Sequence, residues 1–119
     1  MQYILSVDLG TSSIKTALFD SAGEMAAISA HEYELLTPTS LAVEVAVQTY
    51  WHAFENTVAD VLGQAKIDPD AIAGIGFSAQ GETLICVDGD GKPLRNAIVW
   101  MDSRPQEEAQ ELSDHFQDA

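Results

Sequence analysis

Asp8-Leu9-Gly10-Thr11-Ser12-Ser13-Ile14-Lys15 stands between two apolar runs, Tyr3-Ile4-Leu5-Ser6-Val7 and Thr16-Ala17-Leu18-Phe19. Both runs read as strands, so the eight residues form the turn of a hairpin whose backbone N–H groups can point at an anion. Gly10 lets main chain approach phosphate oxygens with no Cβ in the way. Asp8 is placed to hold Mg²⁺ directly or through its waters, because that ion keeps several waters and takes few carboxylates. A carboxylate, a glycine, three hydroxyls and a lysine are the equipment for holding a polyphosphate. An ordinary β-turn capped by Asp and Thr has the same composition, and eight residues alone do not separate the two readings.

Working outward, Ser21-Ala22-Gly23-Glu24 is a turn signal before a third run from Met25 to Tyr33, which makes the opening a β-meander. Residues 34–46 read as a loop, with Leu41-Ala42-Val43-Glu44-Val45 as a short extended piece. Val47, Tyr50, Trp51, Phe54, Val58, Val61, Leu62 and Ala65 then recur at spacings of three and four, predicting a helix with Trp51 and Phe54 in the core. Asp68-Pro69-Asp70 ends it, and Ile72-Ala73-Gly74-Ile75-Gly76-Phe77 is apolar enough for an interior strand. A further strand is expected over Thr83 to Val87, a turn at Asp88-Gly89-Asp90-Gly91 and an extended return from Pro93 to Trp100. Ser103 is the expected cap of a last helix, with Pro105 in its first turn, Gln106 at the capping-box position, and Ala109, Leu112 and Phe116 on one face.

The 119 residues, 46% of them hydrophobic, suffice for one small core and leave no room for two ordinary domains. A formal net charge of −14 disfavours nucleic acid and anionic membranes, which recruit basic patches. It does not exclude a polyphosphate bound locally by backbone donors and a metal ion. The single cysteine, Cys86, has no partner for an intrachain disulfide and is expected as a buried, inert thiol. His31, His52 and His115 stand far apart, which argues against a metal site. Lys92 and Pro93 occupy the places where a calcium loop beginning at Asp88 would need an oxygen ligand and a glycine, so 88–91 reads as a hairpin turn. With a strand at its very start and no long apolar run, the chain is expected to be cytoplasmic.

A further constellation follows: Gly76-Phe77-Ser78-Ala79-Gln80-Gly81-Glu82-Thr83, then Asp88-Gly89-Asp90-Gly91-Lys92-Pro93-Leu94, and then Ala97-Ile98-Val99-Trp100-Met101-Asp102-Ser103-Arg104. Together with the Asp-x-Gly-Thr-Ser-Ser-x-Lys turn, this order and spacing resembles the N-terminal portion of the FGGY carbohydrate kinases, the family of glycerol, xylulose and gluconate kinases. The resemblance implies an α/β fold of the ribonuclease-H-like, actin and sugar-kinase type, with a mixed sheet and helices. It implies ATP and Mg²⁺ as cofactors and transfer of the γ-phosphoryl group to a sugar or polyol hydroxyl. By the same resemblance Gly10, Thr11, Ser12, Ser13 and Lys15 face the ATP phosphates and Asp8 their Mg²⁺. Gln80, Gly81 and Glu82 line the substrate pocket with Trp100, and Asp102 and Arg104 stand near the same cleft. For Trp100 core packing at a strand end competes with that role, and for Asp102 and Arg104 a helix-cap and ion-pair role does.

Glycerol kinases carry an arginine where this chain has Gly81, and xylulose kinases typically carry a Met-His pair in that region. Losing the arginine fork leaves space for a larger substrate and points to a ketopentose such as xylulose, with glycerol or another polyol as the alternative. The family's catalytic base, an aspartate in a Gly-x-x-Asp context, and its adenosine pocket lie well downstream of the matched region. Residues 1–119 are therefore expected to form the leading, incomplete part of the sugar-binding domain. The rest of a kinase chain is its expected partner, and self-association is expected through strand edges left uncovered. An actin-like nucleotide-binding module without enzyme activity is the reading from another class.

Overall fold

The structure, a computed structural model, describes residues 1–116. Strands β1 (Tyr3–Leu9), β2 (Ser13–Asp20) and β3 (Met25–Glu32) form the expected antiparallel meander. At the β2–β3 turn Gly23 takes a φ of 84°, while Asp20 Oδ1 accepts the N–H groups of Ala22 and Glu24. The connection through β4 (Glu44–Val45), α1 (Val47–Ala65) and a 3₁₀ turn (Pro69–Ala71) returns the chain as β5 (Ile72–Ala79), parallel to β1. The sheet order is β3-β2-β1-β5, and β4 pairs with β6 (Ala97–Ile98) in a separate two-stranded ribbon. A last helix, α2, spans Gln106–His115.

Strand alternation decides what α1 covers. Leu5 and Val7 of β1 and Ile14, Thr16 and Leu18 of β2 are buried on one face, and Tyr50, Ala53, Thr57 and Val61 of α1 are the helix residues buried with them. One cluster joins Val7, Ile14, Tyr33, Val45, Tyr50, Ala53, Ala97 and Val99 at the end of the sheet that carries the 8–15 turn. A second joins Leu5, Leu18, Ala27 and Val61 at the other end. Between them the Thr16 and Thr57 hydroxyls, both fully buried, meet at 2.7 Å and satisfy each other. The helix ends with Lys66 in the left-handed region, its N–H donating to the Leu62 carbonyl.

Several expectations are corrected. Trp51 is exposed, and Phe54 is half-buried against the first cluster: the inward stripe runs Tyr50-Ala53-Thr57-Val61, so Trp51 falls at its margin. Among the described residues β5 is an edge strand instead of an interior one, with Ile75 and Phe77 exposed. Residues 83–87 form no regular strand. They make single bridges, Leu84 with Ile98 and Val87 with Pro93, the second flanked by the Leu94 N–H to the Cys86 carbonyl and the Asp88 N–H to the Lys92 carbonyl, both at 2.9 Å. Cys86, in this segment, is only half-buried. The 88–91 turn is as expected, with Asp88 Oδ1 accepting from the Asp90 and Lys92 N–H groups and Gly91 at a φ of 79°.

Ser103 does not cap α2. Its N–H donates to the Leu41 carbonyl at 2.9 Å, and the helix starts behind Pro105 with no side-chain cap. Ala109, Leu112 and Phe116 are exposed. Among the described residues no helix is long and apolar enough to cross a membrane.

Candidate functional site

Asp8 lies near the end of β1 on the face that α1 leaves open, with Lys15 opposite it on β2 and Ser78 opposite it on β5. Cross-strand partners share a face, so a carboxylate, an ammonium and a hydroxyl stand side by side at the root of the turn. The turn is tightly closed. The Gly10 N–H donates to the Ser13 carbonyl at 2.9 Å, and a Cβ on Gly10 would lie 2.9 Å from that same oxygen, which accounts for glycine at this position. Gly10, Thr11 and Ser13 are half-buried, whereas Ser12 is exposed at the tip.

The Gln80-Gly81-Glu82-Thr83 segment leaves the end of β5 and meets this turn. Gln80 N–H donates to the Leu9 carbonyl at 2.8 Å, and Gln80 Nε2 donates to the Gly10 carbonyl at 3.1 Å and to Tyr50 Oη at 3.3 Å. Thr83 Oγ1 donates to Gln80 Oε1 at 3.0 Å and accepts the Trp100 N–H at 3.3 Å. Trp100 Nε1 in turn donates to Thr11 Oγ1 at 2.8 Å. A continuous path of hydrogen bonds thus runs from the turn through the Gln80 segment to Trp100 and back to the turn. Trp100 remains 52% exposed, an aromatic plane anchored at its edge and open on its surface rather than packed into the core. Glu82 is exposed and holds its backbone at a φ of 64°, a region that side chains with a Cβ avoid.

Asp102 and Arg104 sit in a neighbouring ion-pair network. Asp102 Oδ2 accepts the Val43 N–H at 2.8 Å and lies 2.7 Å from an Arg104 nitrogen, with the carboxylate side chain only 3% exposed. Arg104, followed by burial acting the other way and the Val43 N–H, brings the Asp102 carboxyl down to about 2. Arg104 and Arg95 both reach Glu44 Oε1 at 2.8 Å, and Asn96 donates to Glu44 Oε2 at 3.1 Å. The Asn96 hydrogen bond, with the two arginines and against burial, holds Glu44 below the usual carboxylate range. Both Asp102 oxygens thus have partners within the chain, tying the segment after β6 to the strand-like residues before β4.

Tyr33, Tyr50 and Thr83 hydrogen-bond into the candidate site although the sequence did not single them out for it. For Tyr33 the signal was the β2–β3 register: continuing it one residue past Glu32 brings Tyr33 back to the turn, where its N–H donates to the Ser12 carbonyl at 2.9 Å. His31 pairs with Asp60 at 3.0 Å on the helix side, away from this site. Among the described residues no three His, Cys, Asp or Glu side chains gather into a metal cluster, so a divalent cation at the turn would rest on Asp8 and on its own waters. The exposed Asp8 carboxylate beside the turn fits a hydrated Mg²⁺ with a phosphate chain.

Residues 3–119 match the family described as the FGGY family of carbohydrate kinases, N-terminal domain. A glycerol kinase of Thermococcus gammatolerans is 36% identical over 117 residues, which is 98% of this chain and 24% of that protein. Among solved structures, the ligand-bound xylulose kinase of Lactobacillus acidophilus superposes with a TM-score of 0.89 at 28% identity, over 98% of this chain and 23% of that one. The Plasmodium falciparum glycerol kinase with ADP superposes with a TM-score of 0.83 at 29% identity, over 96% of this chain and 23% of that one. The chain therefore spans about a quarter of the length of the relatives it matches.

Proposed function

Because the chain belongs to the FGGY family of carbohydrate kinases and has the ribonuclease-H-like fold of the sugar kinases, we propose that it forms the leading part of a sugar-binding domain. In this reading the whole kinase transfers the γ-phosphoryl group of ATP to a hydroxyl of a sugar or polyol, and a ketopentose such as xylulose is the substrate. The observation that carries the reading is the junction of the two motifs. Trp100 reaches Thr11 at 2.8 Å and Gln80 reaches the Gly10 carbonyl at 3.1 Å, so a phosphate on the turn and a hydroxylated ligand against Glu82 and Trp100 would be immediate neighbours.

The roles follow from the chemistry of each group. Thr11, Ser12 and Ser13 offer hydroxyl and backbone donors to phosphate oxygens, Gly10 lets the turn that presents them close on the Ser13 carbonyl, and Lys15 adds a compensating positive charge. Asp8 holds the waters of the cation, which when bound neutralises charge on the phosphate oxygens during transfer. Glu82 accepts hydrogen bonds from substrate hydroxyls, and the exposed face of Trp100 covers a C–H face of the substrate. Gly81, in place of a side chain that would reach into the pocket, supports the larger ketopentose. Phosphoryl transfer depends mainly on positioning and charge stabilisation, and the base is proposed to come from outside these residues.

The test is ADP formation by a kinase containing this chain, with xylulose, gluconate and glycerol offered in turn. Turnover fastest with xylulose supports the full reading. Turnover fastest with glycerol keeps the kinase and overturns the ketopentose, while ATP binding with no acceptor-dependent turnover supports the non-enzymatic nucleotide-binding module.

A further inference from the structure

We propose that Tyr33 and Gln80 are positioning residues that hold the carbonyls of the 10–13 turn inward, so that its N–H groups face a bound phosphate chain. The proposal rests on the turn being the phosphate site. It gives Gln80 a task different from that of the substrate-lining residues beside it.

Four carbonyls at the turn, those of Leu9, Gly10, Ser12 and Ser13, are tethered. The Leu9 carbonyl accepts Gln80 N–H at 2.8 Å, and the Gly10 carbonyl accepts Gln80 Nε2 at 3.1 Å together with Tyr33 Oη. The Ser12 carbonyl accepts Tyr33 N–H at 2.9 Å. The Ser13 carbonyl accepts Gly10 N–H at 2.9 Å and Tyr33 Oη at 3.2 Å. Among the described residues no acceptor takes the N–H of Thr11 or Ser12. Peptide planes carry N–H and C=O on opposite sides, so fixing the Gly10 carbonyl inward turns the Thr11 N–H outward, an arrangement that attracts anions.

The two anchors are themselves held. Tyr33 is buried, its ring edge-on to Tyr50 with centroids 5.3 Å apart. Burial first, then Tyr50 and Asp8, push its hydroxyl up to about 12, so it stays a donor at neutral pH. Gln80 cannot turn its amide over without losing contacts at both ends, since Oε1 accepts from Thr83 while Nε2 serves Gly10 and Tyr50. Preformed donors need no reorganisation when the anion arrives.

The test is an amide-resolved NMR titration of the 119-residue chain with inorganic tripolyphosphate in excess Mg²⁺. The Thr11 and Ser12 amides are expected to shift saturably in the wild type. Tyr33→Phe keeps the ring on Tyr50 but deletes the hydroxyl, and Gln80→Leu keeps the side-chain bulk but deletes the amide. Each should weaken the apparent Kd by about threefold to tenfold, the equivalent of a hydrogen bond or two. Thr57→Val, which lowers stability remote from the turn, should leave the Kd unchanged. Equal affinity in wild type and both variants overturns the positioning role and leaves the phosphate site standing. A loss in Thr57→Val as large as in the other two also overturns it, because affinity would then merely follow stability. No shift at Thr11 and Ser12 in the wild type removes the phosphate reading and the proposal with it. Should Tyr33→Phe fail to fold, Gln80→Leu decides by the same criteria.

Discussion

Trp100 and Thr11, separated by 89 positions in the chain, are joined by a 2.8 Å hydrogen bond from the indole Nε1 to the threonine hydroxyl. The bond fixes the tilt of the tryptophan while leaving its face open. Thr11→Val keeps the shape and removes the acceptor. In a Trp51→Phe background, where Trp100 is the sole tryptophan, its fluorescence anisotropy should fall as the indole gains freedom. The loss of stability should be small, about 0.5–1 kcal/mol, since the freed N–H can turn to water. Unchanged anisotropy would mean that packing, not this bond, sets the orientation.

The buried Thr16–Thr57 pair should behave in the opposite sense. Thr57→Val strands the Thr16 hydroxyl beneath α1 and is expected to cost about 1–3 kcal/mol in urea unfolding. Adding Thr16→Val removes the stranded group, so the double variant should be more stable than Thr57→Val alone. A double variant weaker than either single one would show that volume, and not hydroxyl pairing, governs this position.

Acid should loosen the Asp102 network within a defined window. The folded pKa of Asp102, about 2, lies below the ordinary value of about 3.9 for an unfolded aspartate. Its contribution is therefore complete above about pH 4 and is lost as pH falls through about 2. Glu44, also depressed, adds in the same direction. Thermal melts between pH 5 and 2 should consequently show a shallower acid decline for Asp102→Asn than for the wild type. Parallel declines would place the acid sensitivity elsewhere, for example at the His31–Asp60 pair, whose carboxyl is also lowered.

The elements that were legible in the sequence are those whose pattern is local. Apolar runs separated by turn signals carried β1 to β3, and three-four spacing carried α1 from Val47 to Ala65. The misreadings share a cause, which is that solvent exposure depends on what else packs nearby. Phe77 and Trp51 are apolar, which predicts an interior place, yet among the described residues Phe77 lies on an edge strand and Trp51 beside the buried stripe. Ser103 has the composition of a cap, but the Leu41 carbonyl, 62 residues earlier, claims its donors. The motifs at 8–15, 76–83 and 97–104 could be read as separate pieces. Their joining through Tyr33, Tyr50 and Thr83 depends on contacts across 17 to 89 residues that no window along the chain contains.

Glu82 bears on how such a chain changes under selection. Its left-handed backbone costs a residue with a Cβ about 1–2 kcal/mol, and glycine would relieve that cost at once. Gly81, next to it, is not in that region and gains nothing from being glycine on that account. Under selection for heat tolerance alone, Glu82→Gly is among the first substitutions expected to spread. Under selection for binding a hydroxylated ligand, it is among the first to be purged. On the proposed role of Glu82 the two pressures meet at a single backbone angle, and the carboxylate persists where the second is the stronger.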